Sequence, residues 1–227
     1  MGVEYKLLVF DWDGTLMDSE AHIVQCMRGA IGDAGLPAVA DAAIRNIIGL
    51  GMDEALRTLL PDIDNALYAV LTRHYRHHFL ASEYAPSELF PGVRETLALL
   101  ADAGYLLAVA TGKGRQGLNH VLERTGLKHV FHDSRCVDEA PSKPHPQMLR
   151  DIMTTLDVAA GNTLVIGDTE YDMNMARNAG ASALGMSYGV HGRRRLLQCG
   201  ALACLDTLHE LPGWLEAPVT PAVHHQE

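Results

Sequence analysis

The apolar run Leu7-Leu8-Val9-Phe10 stops at Asp11, and only Trp12 separates Asp11 from a second acid, Asp13. A short apolar run bounded by a turn signal reads as a strand buried on both faces. Residues 6–11 are therefore expected to lie in the interior of a sheet. Two acids at the end of such a strand are costly to desolvate unless a cation or hydrogen bonds compensate them. In open α/β sheets, ligand-binding groups gather at the carboxyl ends of the strands. The opening segment thus predicts both a fold class and a place to look for chemistry.

The rest of the chain falls into two grammars. From Ser19 to about Ser82 the apolar spacing is helical throughout. Ile23, Val24, Met27, Ala30 and Ile31 share one face of a first helix, which Gly35-Leu36-Pro37 ends. Three more helices are expected at Asp41–Ile48, Met52–Leu60 and Asp64 to about Ala81, the first two stopped by Gly49 and Pro61. After Pro86 helices and strands alternate. Strands are predicted at Tyr105–Ala110, near Val130, at Thr163–Ile166 and at Ala181–Gly185. Helices are predicted from Pro91 to Gly104, at about Arg115–Thr125, from about Pro146 and at Tyr171–Ala179. Repeated βα units imply a parallel sheet with helices on both faces. The last turns, Arg194–Gln198 and Asp206–Leu211, read as a peripheral helix pair around a short apolar stretch, and the tail after Pro218 has no pattern. The expectation is an α/β protein: a Rossmann-like three-layer core with a parallel sheet, built from residues 1–16 and 87–227, and an all-helical cap formed by residues 17–86.

At the expected strand ends stand Asp11-Trp12-Asp13-Gly14-Thr15, then Thr111-Gly112, then Gly167-Asp168 with Asp172 four residues on; Ser142-Lys143-Pro144 precedes the helix at Pro146. Asp11 and Asp168 are hard oxygen ligands suited to Mg²⁺, which takes one or two carboxylates together with phosphate oxygens. A carboxylate can attack phosphorus to give an aspartyl-phosphate, and an acid two residues on can supply the proton to the leaving oxygen. Thr111 and the Gly112 N–H can hold phosphoryl oxygens, and Lys143 can oppose the transition-state charge.

This set resembles the haloacid dehalogenase superfamily in its phosphatase branch. DWDGT is similar to that family's nucleophile motif, VATGK to its threonine motif, SKPHP to its lysine motif and GDTEYD to its closing acidic motif. The helical insert and Leu89–Val93 resemble the phosphoglycolate phosphatase and β-phosphoglucomutase group. The resemblance implies a haloacid dehalogenase-like fold, with Asp11 as nucleophile and Asp13 as general acid and base. It implies Mg²⁺ on Asp11, the Asp13 backbone carbonyl and Asp168, and gives Asp172 either a ligand or a supporting role. Trp12 stands where Phe or Met is commoner in the family, and it is expected to narrow the mouth of the site.

The expected activity is phosphatase action on a small phosphorylated metabolite, phosphoglycolate-like or a sugar phosphate, under a cap that closes by hinging at Gly14 and near Ala85-Pro86. Specificity would come from the cap, with Arg45, Asn46, Leu50 and Met52 as candidates. A phosphoglucomutase-type transfer on the same fold stays open. A dehalogenase has no use for Asp13, and a Schiff-base phosphonoacetaldehyde hydrolase needs a cap lysine, which residues 17–86 lack. Gly112-Lys113-Gly114-Arg115-Gln116-Gly117 also spells the dinucleotide fingerprint, with Asp133 beyond it. It does not follow the first strand, and its acid comes sooner than the usual ~20 residues, yet a dinucleotide oxidoreductase and a non-catalytic binding protein both remain competing readings. His74, His77 and His78 are expected on a solvated helix face rather than on a metal, His145 in a loop, and Arg193, Arg194 and Arg195 at the surface.

The net charge of −10, from 18 basic and 28 acidic residues, argues against nucleic-acid or anionic-membrane partners. Four scattered cysteines without a CxxC pair and an N-terminus without signal-peptide layout read as cytoplasmic.

Overall fold

The computed structural model describes residues 4–81 and 88–216. β1 (Leu7–Phe10) leads through a two-residue strand, β2 (Met17–Asp18), into α1 (Glu20–Asp33), α2 (Asp41–Asn46), α3 (Met52–Leu59) and α4 (Asn65–Ala81). A second two-residue strand, β3 (Glu88–Leu89), returns the chain to α5 (Val93–Asp102), β4 (Leu106–Thr111), α6 (Arg115–Thr125) and β5 (Asp133–Cys136). The chain continues through α7 (Gln147–Thr155), β6 (Thr163–Gly167), α8 (Glu170–Ala179), β7 (Ser182–Met186), α9 (Arg193–Gln198), β8 (Cys204–Leu205) and α10 (Leu211–Glu216).

Six strands form one sheet in the order β5-β4-β1-β6-β7-β8, with every pairing parallel. Parallel neighbours need crossovers, and crossover helices cover both faces. All four residues of β1 are fully buried, which is why LLVF carries no polar alternation. Its odd and even residues feed two different cores. Leu8 and Phe10 pack with Leu97, Val109 and Leu164 on one face, and Leu7 and Val9 pack with Ala108, Met148 and Val165 on the other. The four inserted helices have a third core of their own, centred on Val24, Met27, Ile44, Leu56 and Leu71.

Phe10 lies opposite Val109 on one side and Ile166 on the other. Asp11 is therefore the first residue past the central strand, between the ends of β4 and β6. The chain winds to opposite sides of β1 to build those neighbours, so the strand order reverses here. Such a switch point opens a crevice at the strand ends.

Several expectations change. The strand near Val130 is instead β5, at Asp133–Cys136. Its Asp-Ser-Arg-Cys sequence is polar because it is the sheet edge, while Val130 and Phe131 turn in to pack on the core. The stretch between the last helices is β8, a sixth strand rather than a mere spacer, and the second of those helices begins at Leu211 after a short 3₁₀ turn. β2 and β3 pair antiparallel, Met17 with Leu89 and Asp18 with Glu88, so the outgoing and returning chains are tied side by side. Gly14, the expected hinge, sits in a tight turn that only glycine fits: its φ is +82°, its N–H donates to the Met17 carbonyl, and a side chain there would strike the Asp168 carboxylate. The other expected hinge, Ala85-Pro86, and the tail after Pro218 lie outside the described residues.

Trp12 does not line the mouth. It is fully buried in the core, edge-to-face with Phe131 at 6.3 Å, and its indole N–H points at the Met17 sulfur. Trp12→Ala should therefore cost about 3–5 kcal/mol of folding stability, read by urea denaturation. A loss below about 1 kcal/mol, the scale of an ordinary surface change, would contradict this placement.

Candidate active site

Past the end of β1 the chain bends back at once. The Asp11 carboxylate accepts the Trp12 N–H at 2.7 Å, and Thr15, four residues on, donates to Asp168 at 2.7 Å. Asp168 follows β6, and its second oxygen accepts the Val190 N–H at 2.8 Å. Asp172 serves two purposes. One oxygen completes a capping box with Thr169 at the start of α8, and the other accepts from Lys143 at 2.7 Å. Lys143 also reaches Asp11 at 2.8 Å. Lys143, Asp168 and Asp172 have no exposed surface, and Asp11 almost none. Thr111 is buried at the end of β4, its hydroxyl accepting the Lys113 N–H at 3.2 Å, with Gly112 just beyond. The structure thus brings Asp11, Lys143, Asp168 and Asp172 into one contiguous charged network beside the Thr111 strand end.

The electrostatics follow from burial. Desolvation pushes the Asp11 pKa well above its ordinary value; Lys143 works against that shift, and Asp172 and Asp168 add to it. Desolvation, then repulsion from Asp172, raises Asp168 to about 7. Burial also works against the Lys143 ammonium, but the Asp11 and Asp172 carboxylates outweigh it and hold its pKa above the ordinary lysine value. One buried cation therefore stands among three buried acids.

These residues fit a divalent cation. Asp11, Asp168 and Asp172 each offer an oxygen within 4.8 Å of the others. The Asp11 Oδ2 atom is buried and has no hydrogen-bond partner among the described residues. A hard cation ligated by oxygen would satisfy that atom and offset the excess negative charge. Cys136, Asp138 and Glu139 are as close together, but Arg115 already binds both acids, its backbone N–H to Asp138 and its guanidinium to Glu139.

Asp13 sits apart from that group, with one oxygen accepting the Ser19 hydroxyl at 2.6 Å and the other 2.9 Å from the Lys113 ammonium. Here the helical insert meets the core. The loop after α2 lies over the strand ends: the Gly51 N–H donates to the Ser142 hydroxyl at 2.7 Å, and Gly112 is packed so closely on the Gly49 and Leu50 carbonyls that a side chain would not fit. Backbone thus crowds Gly112, the first glycine of the fingerprint spelled there; the Arg115 N–H at the start of α6 is taken by the Asp138 carboxylate, and Asp133 is bound to Arg135.

The expected specificity residues divide. Arg45 turns away to Glu20. Asn46 is clasped by the core: its carbonyl accepts the Tyr171 hydroxyl at 2.6 Å and its side-chain oxygen accepts Arg195 at 2.7 Å. Leu50 remains on the loop beside the strand ends, and Met52 opens α3. Arg195 is accordingly not a plain surface residue, since it also pairs with Glu170, and Arg193 binds the Cys204 carbonyl and Asp206. His78 and His74 lie 2.8 and 3.8 Å from Asp33 of α1, a carboxylate partner that their own helix does not show; they tie α1 to α4. His145 is exposed in its loop. Thr15, Ser19 and Lys113 escaped the sequence reading as site residues, although each lies within or beside a quoted motif.

Residues 8–186 match the family model described as haloacid dehalogenase-like hydrolase. Among curated proteins the chain is similar to one named "Probable phosphatase IndB" from Dickeya dadantii, 36% identical over 91% of this chain and 92% of that one. It is also similar to a phosphoglycolate phosphatase of Vibrio cholerae, 33% identical over 82% of this chain and 87% of the relative. Among solved structures, a hydrolase from Pseudomonas syringae superposes with a TM-score of 0.85 over 93% of this chain and 98% of its own, at 24% identity. With these motifs at these strand ends, and a family model that spans most of its length, the chain belongs to the haloacid dehalogenase-like hydrolases.

Proposed function

We propose that this chain is a Mg²⁺-dependent phosphatase that hydrolyses a small phosphate monoester, with Asp11 as nucleophile. The observation that carries the reading is the Asp11 carboxylate: buried at the switch point, one oxygen fixed by the Trp12 N–H and Lys143, the other without a partner among the described residues. A carboxylate so fixed is pre-oriented for in-line attack on phosphorus.

In this reading Asp11 forms a bond to phosphorus while the bond from phosphorus to the leaving oxygen breaks. Asp13 gives that oxygen a proton, then as base takes a proton from the water that cleaves the aspartyl-phosphate. Thr111 and the Gly112 N–H hold phosphoryl oxygens, and Lys143 offsets their charge. Mg²⁺ on Asp11, Asp168 and the Asp13 carbonyl would supply the remaining positive charge, with Asp172 holding Lys143 in place. The helical insert, residues 17–86, acts as the cap that excludes water and bulky substrates. The loop from Ile47 to Gly51 has no cation to receive a second phosphate, which favours hydrolysis over mutase chemistry. Relatives named phosphoglycolate phosphatase support a small, compact substrate.

Asp11→Asn should keep the fold and lose roughly 10³-fold or more in phosphate release from p-nitrophenyl phosphate; near-wild-type turnover would sink the mechanism. The metal reading has its own pH signature. The Asp168 pKa lies near 7 in the folded protein against an ordinary 3.8, so the folded state binds the extra proton in that window. Metal-free stability should then fall as pH rises from about 4 to 7, and a cation that binds the ionised carboxylates should restore it. The rise in Tm on adding Mg²⁺ should be larger near pH 8 than near pH 5. Equal rises at both, or none, would contradict the site.

A further inference from the structure

Lys113 occupies a place that the reaction as drawn does not use. Its ammonium lies 2.9 Å from Asp13 Oδ2, and both side chains are 11% exposed. Lysine heads ordinarily stay in water while their stems pack, and a nearly buried ammonium is costly unless an anion pairs with it. On its other side lies the Phe79 ring of α4, 5.1 Å away. Phe79 is stacked on His22 at 4.8 Å and on Tyr75 at 5.9 Å, so the insert presents an aromatic wall to this lysine. An aromatic face holds a cation weakly and does not neutralise it. Lys143, the other buried ammonium of the site, is already committed to Asp11 and Asp172.

We infer that Lys113 is the specificity residue of this phosphatase: it binds a carboxylate carried by the leaving group, one or two carbons from the ester oxygen. The inference rests on the phosphatase reading above, in which Asp13 faces the leaving oxygen. A group hydrogen-bonded to Asp13 at about 3 Å, beside an ammonium 2.9 Å from the same carboxylate, lies within about 6 Å of that ammonium. A carboxylate next to the ester carbon spans that gap. Ser19 stays on the first oxygen of Asp13 while the second turns to the leaving oxygen. Lys113 then exchanges Asp13 for the substrate anion and remains paired throughout. The loop from Ile47 to Gly51 is uncharged, whereas Lys113 brings a positive charge directly beside Asp13. A substrate with a neutral tail would instead leave the nearly buried ammonium competing with its own leaving oxygen for Asp13.

The test compares kcat/KM for 2-phosphoglycolate and ethyl phosphate, which share a two-carbon skeleton and differ in the carboxylate. It uses the Mg²⁺-loaded wild type, Lys113→Met and Lys113→Arg, with p-nitrophenyl phosphate assayed in parallel. The wild type should prefer phosphoglycolate. Lys113→Met should reduce that preference on the order of 100-fold, the scale for removing one partner of a buried charge pair, mainly through KM; Lys113→Arg should recover part of it. A wild type indifferent to the carboxylate, or a methionine variant that loses both substrates equally, overturns the inference while p-nitrophenyl phosphate turnover leaves the phosphatase reading standing. A wild type inactive on all three substrates overturns both.

Discussion

Everything at the strand ends depends on one ion-pair arrangement: the Lys143 ammonium held between Asp11 and Asp172, with Asp168 beside them. A buried cation between two buried anions is seldom a gain in stability over apolar packing. Its value lies in geometry. Asp172 fixes Lys143 and caps α8 with the same carboxylate, so the amino end of that helix, the lysine loop and the first strand are locked together. With all three carboxylates ionised, one ammonium leaves the arrangement two positive charges short of balance, and Asp11 Oδ2 marks where the shortage is felt. A site built this way is strained toward taking up a cation and an anionic substrate together.

The second constraint is where the insert touches the core. Three contacts converge there. Tyr171 and Arg195 hold Asn46, Gly51 binds Ser142, and Lys113 stands between Asp13 and the Phe79 wall. Each links the insert to a different part of the core: α8 and α9, the loop before α7, and the segments that follow β1 and β4. The β2–β3 pair ties the two connecting chains just outside the site. Any movement of the insert relative to the core would have to break these contacts.

Much of this was legible in the sequence, for local reasons. A buried parallel strand reads as an unbroken apolar run, so the acid that ends it is conspicuous. Asp11, Thr111 and Asp168 all stand where LLVF, LLAVA and TLVIG stop. The helical insert announced itself through spacing and its glycine and proline stops. What stayed hidden was set by tertiary neighbours. β5 is polar because it is an edge, and β2, β3 and β8 are strands of two residues that exist only through their partners. Trp12 looked like a gatepost because it sits between two acids, but the bend past β1 turns its ring into the same core as Leu8 and Phe10. The contacts of Lys113 and Arg195 with Asp13, Phe79 and Asn46 join residues far apart in the chain, and no spacing rule reaches them.

The central claim is that Asp11 carries the phosphoryl group during turnover. Acid quenching of the Mg²⁺-loaded enzyme during steady-state hydrolysis, followed by peptide mapping by mass spectrometry, tests it directly. The account predicts a phosphoryl adduct on the peptide from Lys6 to Arg28, localised by fragmentation to Asp11 and formed no more slowly than the enzyme turns over. An adduct on another residue, or one that forms more slowly than turnover, would contradict it.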